Sequence, residues 1–360
     1  MADTSSENHP SHLSPSELGT KEYWETFYSR TLTHISSKHN HTQDGQRDED
    51  KYTHSDDENN KDNDDSEDDE EEEDSEYNGD SDPGTSWFSE HNAPQKVLDF
   101  LTRDSFPLAP ANTIPGFSKR NYKSKSKGAV LSAEEKNTQP SILDLGTGNG
   151  SMLALLRKRG GYKGRMVGVD YSAKSVELAR ELQESRRHEA YLSADDSDED
   201  SEGGFSEDEA EGQGQDRVEG KEGGEEEWDP IDFEEWDILN SEDDLREKKI
   251  PWFPFEQGGF DIVLDKGTFD AVSLMVEKSQ CERYPGIAGG LVRKGGFLVV
   301  TSCNWTEEEV VKWFTGAGLV GAGDEADAGK LVVWGRVQYP RFKFGGQEGQ
   351  GVCTVCFQRV

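Results

Sequence analysis

Residues 141–150, SILDLGTGNG, place a short apolar run directly before a turn with glycine at three alternate positions, Gly146, Gly148 and Gly150. The run is too short for a helix and is followed by MLALLRKRG, which has helical spacing. A second apolar run, RMVGVD, comes next, then a long amphipathic segment, SAKSVELARELQESRRH, with Val176, Ala179 and Leu182 on one face. Strand and helix alternate, which predicts a mostly parallel sheet covered on both faces. The alternation resumes downstream. DPIDFEEWDIL and FDIVLD read as strands, TFDAVSLMVEK as a helix, IAGGLVRKGGFLVVTSC as helix, glycine turn and buried strand, and EEEVVKWF as a helix. The last apolar segments, LVVWGRVQYPRFKF and GVCTVCFQRV, flank the glycine-rich GGQEGQ and predict an antiparallel hairpin at a sheet edge. The fold class is therefore α/β.

Upstream the chain is less regular. Residues 1–16 read as a disordered tail, and 17–35 as a helical lid segment in which LGTKEYWETFY carries Leu18, Tyr23, Trp24, Phe27 and Tyr28. Residues 86–360 form the main domain, interrupted by a Pro-, Ser- and Lys-rich loop at 104–140. Over all 360 residues there are 75 acidic and 39 basic side chains, a formal charge of −36, with 31% hydrophobic residues. That average suggests disorder, but the charge is concentrated. Residues 44–82 carry 21 acidic and 3 basic residues, and 189–229 carry 18 and 2. Both blocks read as disordered acidic insertions in loops of one domain, where added length costs little closure entropy. The remainder is near neutral and long enough for one sizeable core.

Several classes are excluded. No run reaches the ~20 apolar residues of a membrane span, and MADTSSENHP is unlike a secretory signal. A cytoplasmic monomer is expected. Direct nucleic-acid binding is not, because the acidic blocks would repel phosphate and the basic cluster Lys119–Lys127 is short. Cys353-x-x-Cys356 has the spacing of half a zinc site, but no second ligand pair follows, so no metal is assigned. Ser66, Ser75 and Ser197 sit among acids, as an acid-directed kinase prefers.

The glycine turn carries the chemistry. A dinucleotide site uses G-x-G-x-x-G, with pyrophosphate on the helix N-terminus. Here the spacing is G-x-G-x-G and an acid, Asp144, stands two residues before the first glycine. A carboxylate there opposes a pyrophosphate and suits an ammonium group, which favours a cationic cofactor such as S-adenosylmethionine. Asp170 ends the second strand, where a carboxylate accepts from a ribose diol; capping the next helix is its alternative role. Asp237 and Asp265 follow the third and fourth strands, so four acids line one sheet edge.

Together these segments resemble a seven-strand class I S-adenosylmethionine-dependent methyltransferase. Within that class the chain is similar to the lysine methyltransferases of translation elongation factor 1-alpha, the methyltransferase-like protein 10 type. LGTKEYWETFY, WFSE, ILDLGTGNG, VGVDYS, FDIVLDKGTFDAVSL, VTSCNWT and YPRFKFGG carry the resemblance, in order. The two acidic insertions and the basic loop depart from it. The resemblance implies a Rossmann-like seven-strand sheet, S-adenosylmethionine as cofactor and elongation factor 1-alpha as the protein substrate. It also implies that Gly146, Gly148 and Gly150 hold the cofactor's methionine part, with Thr147 and Asn149 in the same loop, while Asp144 meets its amino group. Asp170, followed by Tyr171, would bind the ribose, and Asp237 the adenine amino group, with Trp236 and Ile238 flanking the base. Asp265 would lie beside the departing methyl group, orient the target lysine and accept its proton as the catalytic residue. Tyr23, Trp24, Trp87 and Phe88 would wall the substrate channel. A class I enzyme for a small-molecule acceptor, and a non-catalytic nucleoside-binding scaffold, are the rival readings.

Overall fold

Strand β1 (Ile142–Leu145) is buried along its whole length, because neighbours pair with it on both sides. β2 (Met166–Asp170) and β4 (Phe260–Lys266) flank it, both parallel to it. β3 (Asp232–Glu235) adds outside β2, and β5 (Val292–Ser302) beside β4. With β6 (Leu331–Val337) and β7 (Cys353–Arg359) the seven-stranded sheet has the order β3-β2-β1-β4-β5-β7-β6. The computed structural model describes residues 10–44, 88, 91–117, 132–186, 189–191, 229–240, 242–320, 329–340, 342–344, 347–349 and 351–360. The basic cluster 119–127 and most of both acidic blocks lie outside them.

Residues alternate between two cores, as the pleat requires. Ile142, Ile262, Leu264, Phe297 and Val299 face a layer built from α1 (Lys21–Asp44), α2 (Ala93–Leu101), α3 (Ser151–Lys158) and α4 (Ala173–Ser185). Leu143, Leu145, Val263, Leu298 and Val300 face the opposite layer, where α5 (Thr268–Ser273), α6 (Lys278–Gly290) and α7 (Glu307–Gly316) contribute Phe269, Tyr284, Trp313 and Phe314. Both faces are covered, as the continuous apolar runs predict. Ser172 caps α4, accepting from Ser175 N at 3.2 Å, and Thr306 closes a capping box with Glu309 on α7.

The expected C-terminal hairpin is present, and two other expectations change. β6 and β7 pair antiparallel with each other at the sheet edge, β7 lying between β5 and the outermost strand β6. Cys353 through Phe357 are all buried, which suits an interior strand, whereas β6 is half-exposed and takes the edge. Cys353 and Cys356 belong to opposite cores, so they cannot share a metal. Residues 10–16 do not trail away: His12 meets Glu282 at 3.2 Å and the Trp313 ring at 5.6 Å, and Ser16 N donates to Leu274 O at 3.0 Å. Finally, 189–191 belongs to the fold rather than to the acidic insertion, since Ala190 and Tyr191 are buried in the α1–α4 layer. No helix among the described residues is long and apolar enough to cross a membrane.

Candidate active site

At the carboxyl ends of β1 to β4, where strand order reverses about β1, a cavity of about 260 Å³ opens. That is the switch point at which open α/β sheets bind ligands, and the volume is near the lower end of small-molecule sites, ~300–1,000 Å³. Gly146, Thr147 and Gly148 of the β1 turn form its floor; Asp170 and Tyr171 come from β2, Trp236 to Asn240 follow β3, and Lys266 to Thr268 end β4. The N-terminal segment closes another side with Gly19, Lys21, Trp24 and Tyr28, beside Phe88. Lys21, Tyr28, Lys266 and Thr268 are wall residues that the motif reading did not assign; the last two sit inside the DKGT segment already singled out.

The turn is shaped first by the protein's own packing. Gly146 has φ +60°, and a Cβ there would stand 2.2 Å from Thr268 Oγ1, whose hydroxyl donates to Leu145 O at 2.6 Å. Gly150, at φ +76°, precedes the first residue of α3, and its Cβ would stand 2.6 Å from the Phe233 ring. Asn149 Oδ1 accepts from Ser151 N at 3.1 Å. Gly150 and Asn149 therefore shape the turn from behind, while Gly146 and Gly148 reach the cavity.

The acids divide in the same way. Asp170 lies on the wall, with Oδ1 accepting from Ser172 N (2.9 Å) and Oδ2 from Gly148 N (3.2 Å) and Ser175 Oγ (2.7 Å). It ties the glycine turn to α4, and burial raises its carboxyl above the usual range against those three bonds. Three donors leave about one of its acceptor positions for the cavity. Asp237, also on the wall, accepts from Leu239 N at 3.0 Å and Asn240 Nδ2 at 2.7 Å. Asp144 stands behind the turn, 2% exposed, accepting from the Thr147 hydroxyl at 3.0 Å. Burial pushes its carboxyl up to about 6, with the Lys266 ammonium and Thr147 opposing the rise and Asp170 adding to it.

Asp265 departs furthest from its expected role. It is 1% exposed and is not a wall residue. Oδ1 accepts from Thr268 N (3.0 Å) and Phe269 N (3.2 Å) at the start of α5, and Oδ2 accepts from the Tyr284 hydroxyl at 2.8 Å. Burial pushes this carboxyl up to about 7 despite those bonds. Its place is beneath the Lys266–Thr268 turn, which it holds, and it does not line the cavity.

Of the expected channel aromatics, Trp24 and Phe88 are wall residues. The Trp24 indole N–H donates to Leu18 O at 2.8 Å, a bond within the N-terminal segment that orients the ring. Tyr23 packs edge-on to Trp24, ring centroids 5.2 Å apart, without reaching the wall. Trp87 lies outside the described residues. Tyr171 is on the wall, its hydroxyl donating to Thr20 O at 3.2 Å.

The profile of a family described as a methyltransferase domain matches residues 136–193, from just before β1 through α4 to Tyr191. The chain has the class I methyltransferase fold. Protein-lysine N-methyltransferase EFM4 of Saccharomyces cerevisiae is 27% identical to this chain over 96% of each. EEF1A lysine methyltransferase 2 of Danio rerio is 23% identical, covering 97% of this chain and 90% of its own. The Homo sapiens protein of the same name is 28% identical over 61% of this chain and 66% of its own. The cofactor is S-adenosylmethionine, and the site suits it. Asp144 and Asp170 are buried carboxylates whose charge burial opposes, so a cationic ligand over the Gly146–Gly148 turn supplies the missing compensation. Trp236 Nε1 is buried beside the cavity without a hydrogen-bond partner among the described residues, an orphan donor of the kind that ligand sites leave.

Proposed function

We propose that this enzyme is a cytoplasmic protein-lysine N-methyltransferase whose substrate is a lysine of translation elongation factor 1-alpha. The observation that carries the reading is end-to-end similarity, over 96% of both chains, to a protein named for lysine methylation, joined by relatives named for elongation factor 1-alpha. In this reading the adenosine lies over β2 and β3, with Asp170 turned to the ribose, Asp237 to the adenine amino group, and Trp236, Ile238 and Tyr171 around them. The methionine part lies over Gly146, Thr147 and Gly148, where Asp144 acts through its field from behind Thr147 and favours a positive group.

Bound S-adenosylmethionine supplies an electrophilic methyl on its sulfonium. The chain's own residues must present a neutral amine in line with it. Trp24, Tyr28, Phe88, Val272 and Met275 make much of the wall apolar. Enclosing an ammonium among them lowers its pKa, because desolvation disfavours the cation, so the proton leaves to water at the mouth. The same walls fix the angle of approach, and positioning of this kind can account for several orders of magnitude in rate. Asp265 serves this indirectly by fixing the turn that carries Lys266, Gly267 and Thr268.

The test is to incubate the purified full chain with labelled S-adenosylmethionine and elongation factor 1-alpha and to map the label by mass spectrometry. Label on one lysine is expected. A chain that binds the cofactor yet labels no lysine of that factor would overturn the substrate assignment; label on a small-molecule acceptor instead would identify a different enzyme on the same fold.

A further inference from the structure

Among the described residues the cavity wall carries two cations, Lys21 and Lys266, and they are not equivalent. Lys21 Nζ is 3.7 Å from Glu235 Oε1 and 5.7 Å from the centroid of the Tyr171 ring, on the β2–β3 side. Lys266 has no carboxylate within ion-pair distance among the described residues. Its ammonium lies 5.4 Å from the centroid of the Phe88 ring, and it is the largest influence opposing burial at Asp144. A half-buried ammonium on a cavity wall, with no ion-pair partner among the described residues, has spare capacity for an anion.

Position decides which anion. Leu145 is in register with Asp265, so Lys266 comes level with Gly146, the first glycine of the turn. β4 flanks β1 on the side away from β2, whereas the wall carboxylates, Asp170 and Asp237, belong to β2 and the segment after β3. The wall is thus divided by charge: acids over β2 and β3, where the adenosine is placed, and over β4, at the methionine end, a cation with no ion pair among the described residues. The methionine moiety has a single anionic group, its α-carboxylate. Building on the cofactor assignment above, we infer that Lys266 binds that α-carboxylate, so that it sets the cofactor's orientation along the cavity and selects against analogues that lack the group.

Without a carboxylate to meet it, the Lys266 ammonium faces a ligand that is wholly cationic. The residue therefore attracts S-adenosylmethionine and repels its decarboxylated form, which keeps the sulfonium, the amine and the adenosine. A charge-assisted hydrogen bond of this kind contributes about one to two orders of magnitude in affinity.

The experiment is calorimetric binding of S-adenosylmethionine and of decarboxylated S-adenosylmethionine to the full chain, wild type and Lys266→Met. Methionine keeps much of the stem over Phe88 and removes the charge, and thermal melts of the two proteins verify that both are folded. Wild type is expected to prefer S-adenosylmethionine by about 10- to 100-fold. In the variant that preference should collapse towards unity, through weaker binding of S-adenosylmethionine with the decarboxylated analogue unchanged or improved, and Lys266→Arg should restore part of it. Equal loss of affinity for both ligands, as would follow if Lys266 only supported the turn or Asp144, overturns the inference, and so does a preference that survives the substitution. Wild-type protein that binds neither ligand would instead remove the cofactor assignment, and the inference with it.

Discussion

Replacing Asp265 by Asn separates a catalytic carboxylate from a buried structural acid. Asn is nearly the same shape, and its oxygen can accept from Thr268 N and Phe269 N while its amide group donates to the Tyr284 oxygen, so every bond of the wild-type side chain is kept or reversed. Only the charge is lost. The folded-state pKa of Asp265 is about 7 against 3.8 for the free side chain. At about 1.4 kcal/mol per unit, ionisation in the fold costs about 4 kcal/mol as an upper bound. The sign follows from proton binding. Between pH 4 and 7 the folded chain holds this proton and the unfolded chain does not, so the contribution is fully present below pH 4 and is lost as pH rises through 7. The substituted amide is neutral throughout. Calorimetric melts at pH 5, 6, 7 and 8 should show Asp265→Asn more stable than wild type at pH 8, with a margin that shrinks towards pH 5. For a domain of this size the margin corresponds to about 10 °C or less. A variant that melts below wild type at pH 8 by a pH-independent amount would refute the reasoning. Methyl transfer should survive within about tenfold, whereas loss of a working general base costs ~10²–10⁴-fold and would return Asp265 to the catalytic role.

Two further substitutions test the turn. Gly150→Ala must accept φ +76° and a Cβ 2.6 Å from the Phe233 ring; we expect a loss of about 2 kcal/mol or more in denaturant unfolding, and an unchanged midpoint would show that the α3 start can shift freely. Asp144→Ala removes the buried acceptor of Thr147 and the negative field under the turn, and should weaken S-adenosylmethionine binding at least tenfold by calorimetry, so undiminished affinity would exclude Asp144 from the site.

What could be read in advance was whatever repeats along the chain. Alternating apolar runs and amphipathic helices specify the sheet and its covering, and the glycine turn after β1 marks the ligand edge, because both are local patterns. The acids at strand ends were legible as positions but not as directions. Asp170 and Asp265 both end buried strands, yet one faces the cavity and the other is held by Tyr284, nineteen residues away on α6, which no spacing reveals. Lys266 is illegible for the complementary reason: nothing in an Asp-Lys-Gly-Thr segment says which side chain reaches the wall, which the pairing of β4 with β1 decides. The docking of residues 10–16 against Leu274, Glu282 and Trp313 is a contact across some 260 to 300 residues of sequence, outside any local signal.

That docking bears on what counts as the enzyme's smallest working unit. All seven strands lie within residues 142–359, so a chain begun at residue 86 would contain the complete sheet. It would lack Gly19, Lys21, Trp24 and Tyr28, and with them one side of the cavity. It would also lack Glu25, whose carboxylate accepts from Ala173 N at the start of α4, and Thr20, whose carbonyl receives the Tyr171 hydroxyl. The boundary drawn by counting strands therefore differs from the boundary drawn by enclosing a ligand. A protein cut to the first would keep its architecture and lose its container, and the N-terminal helix is better regarded as a piece of the site that the chain makes first and the sheet completes later.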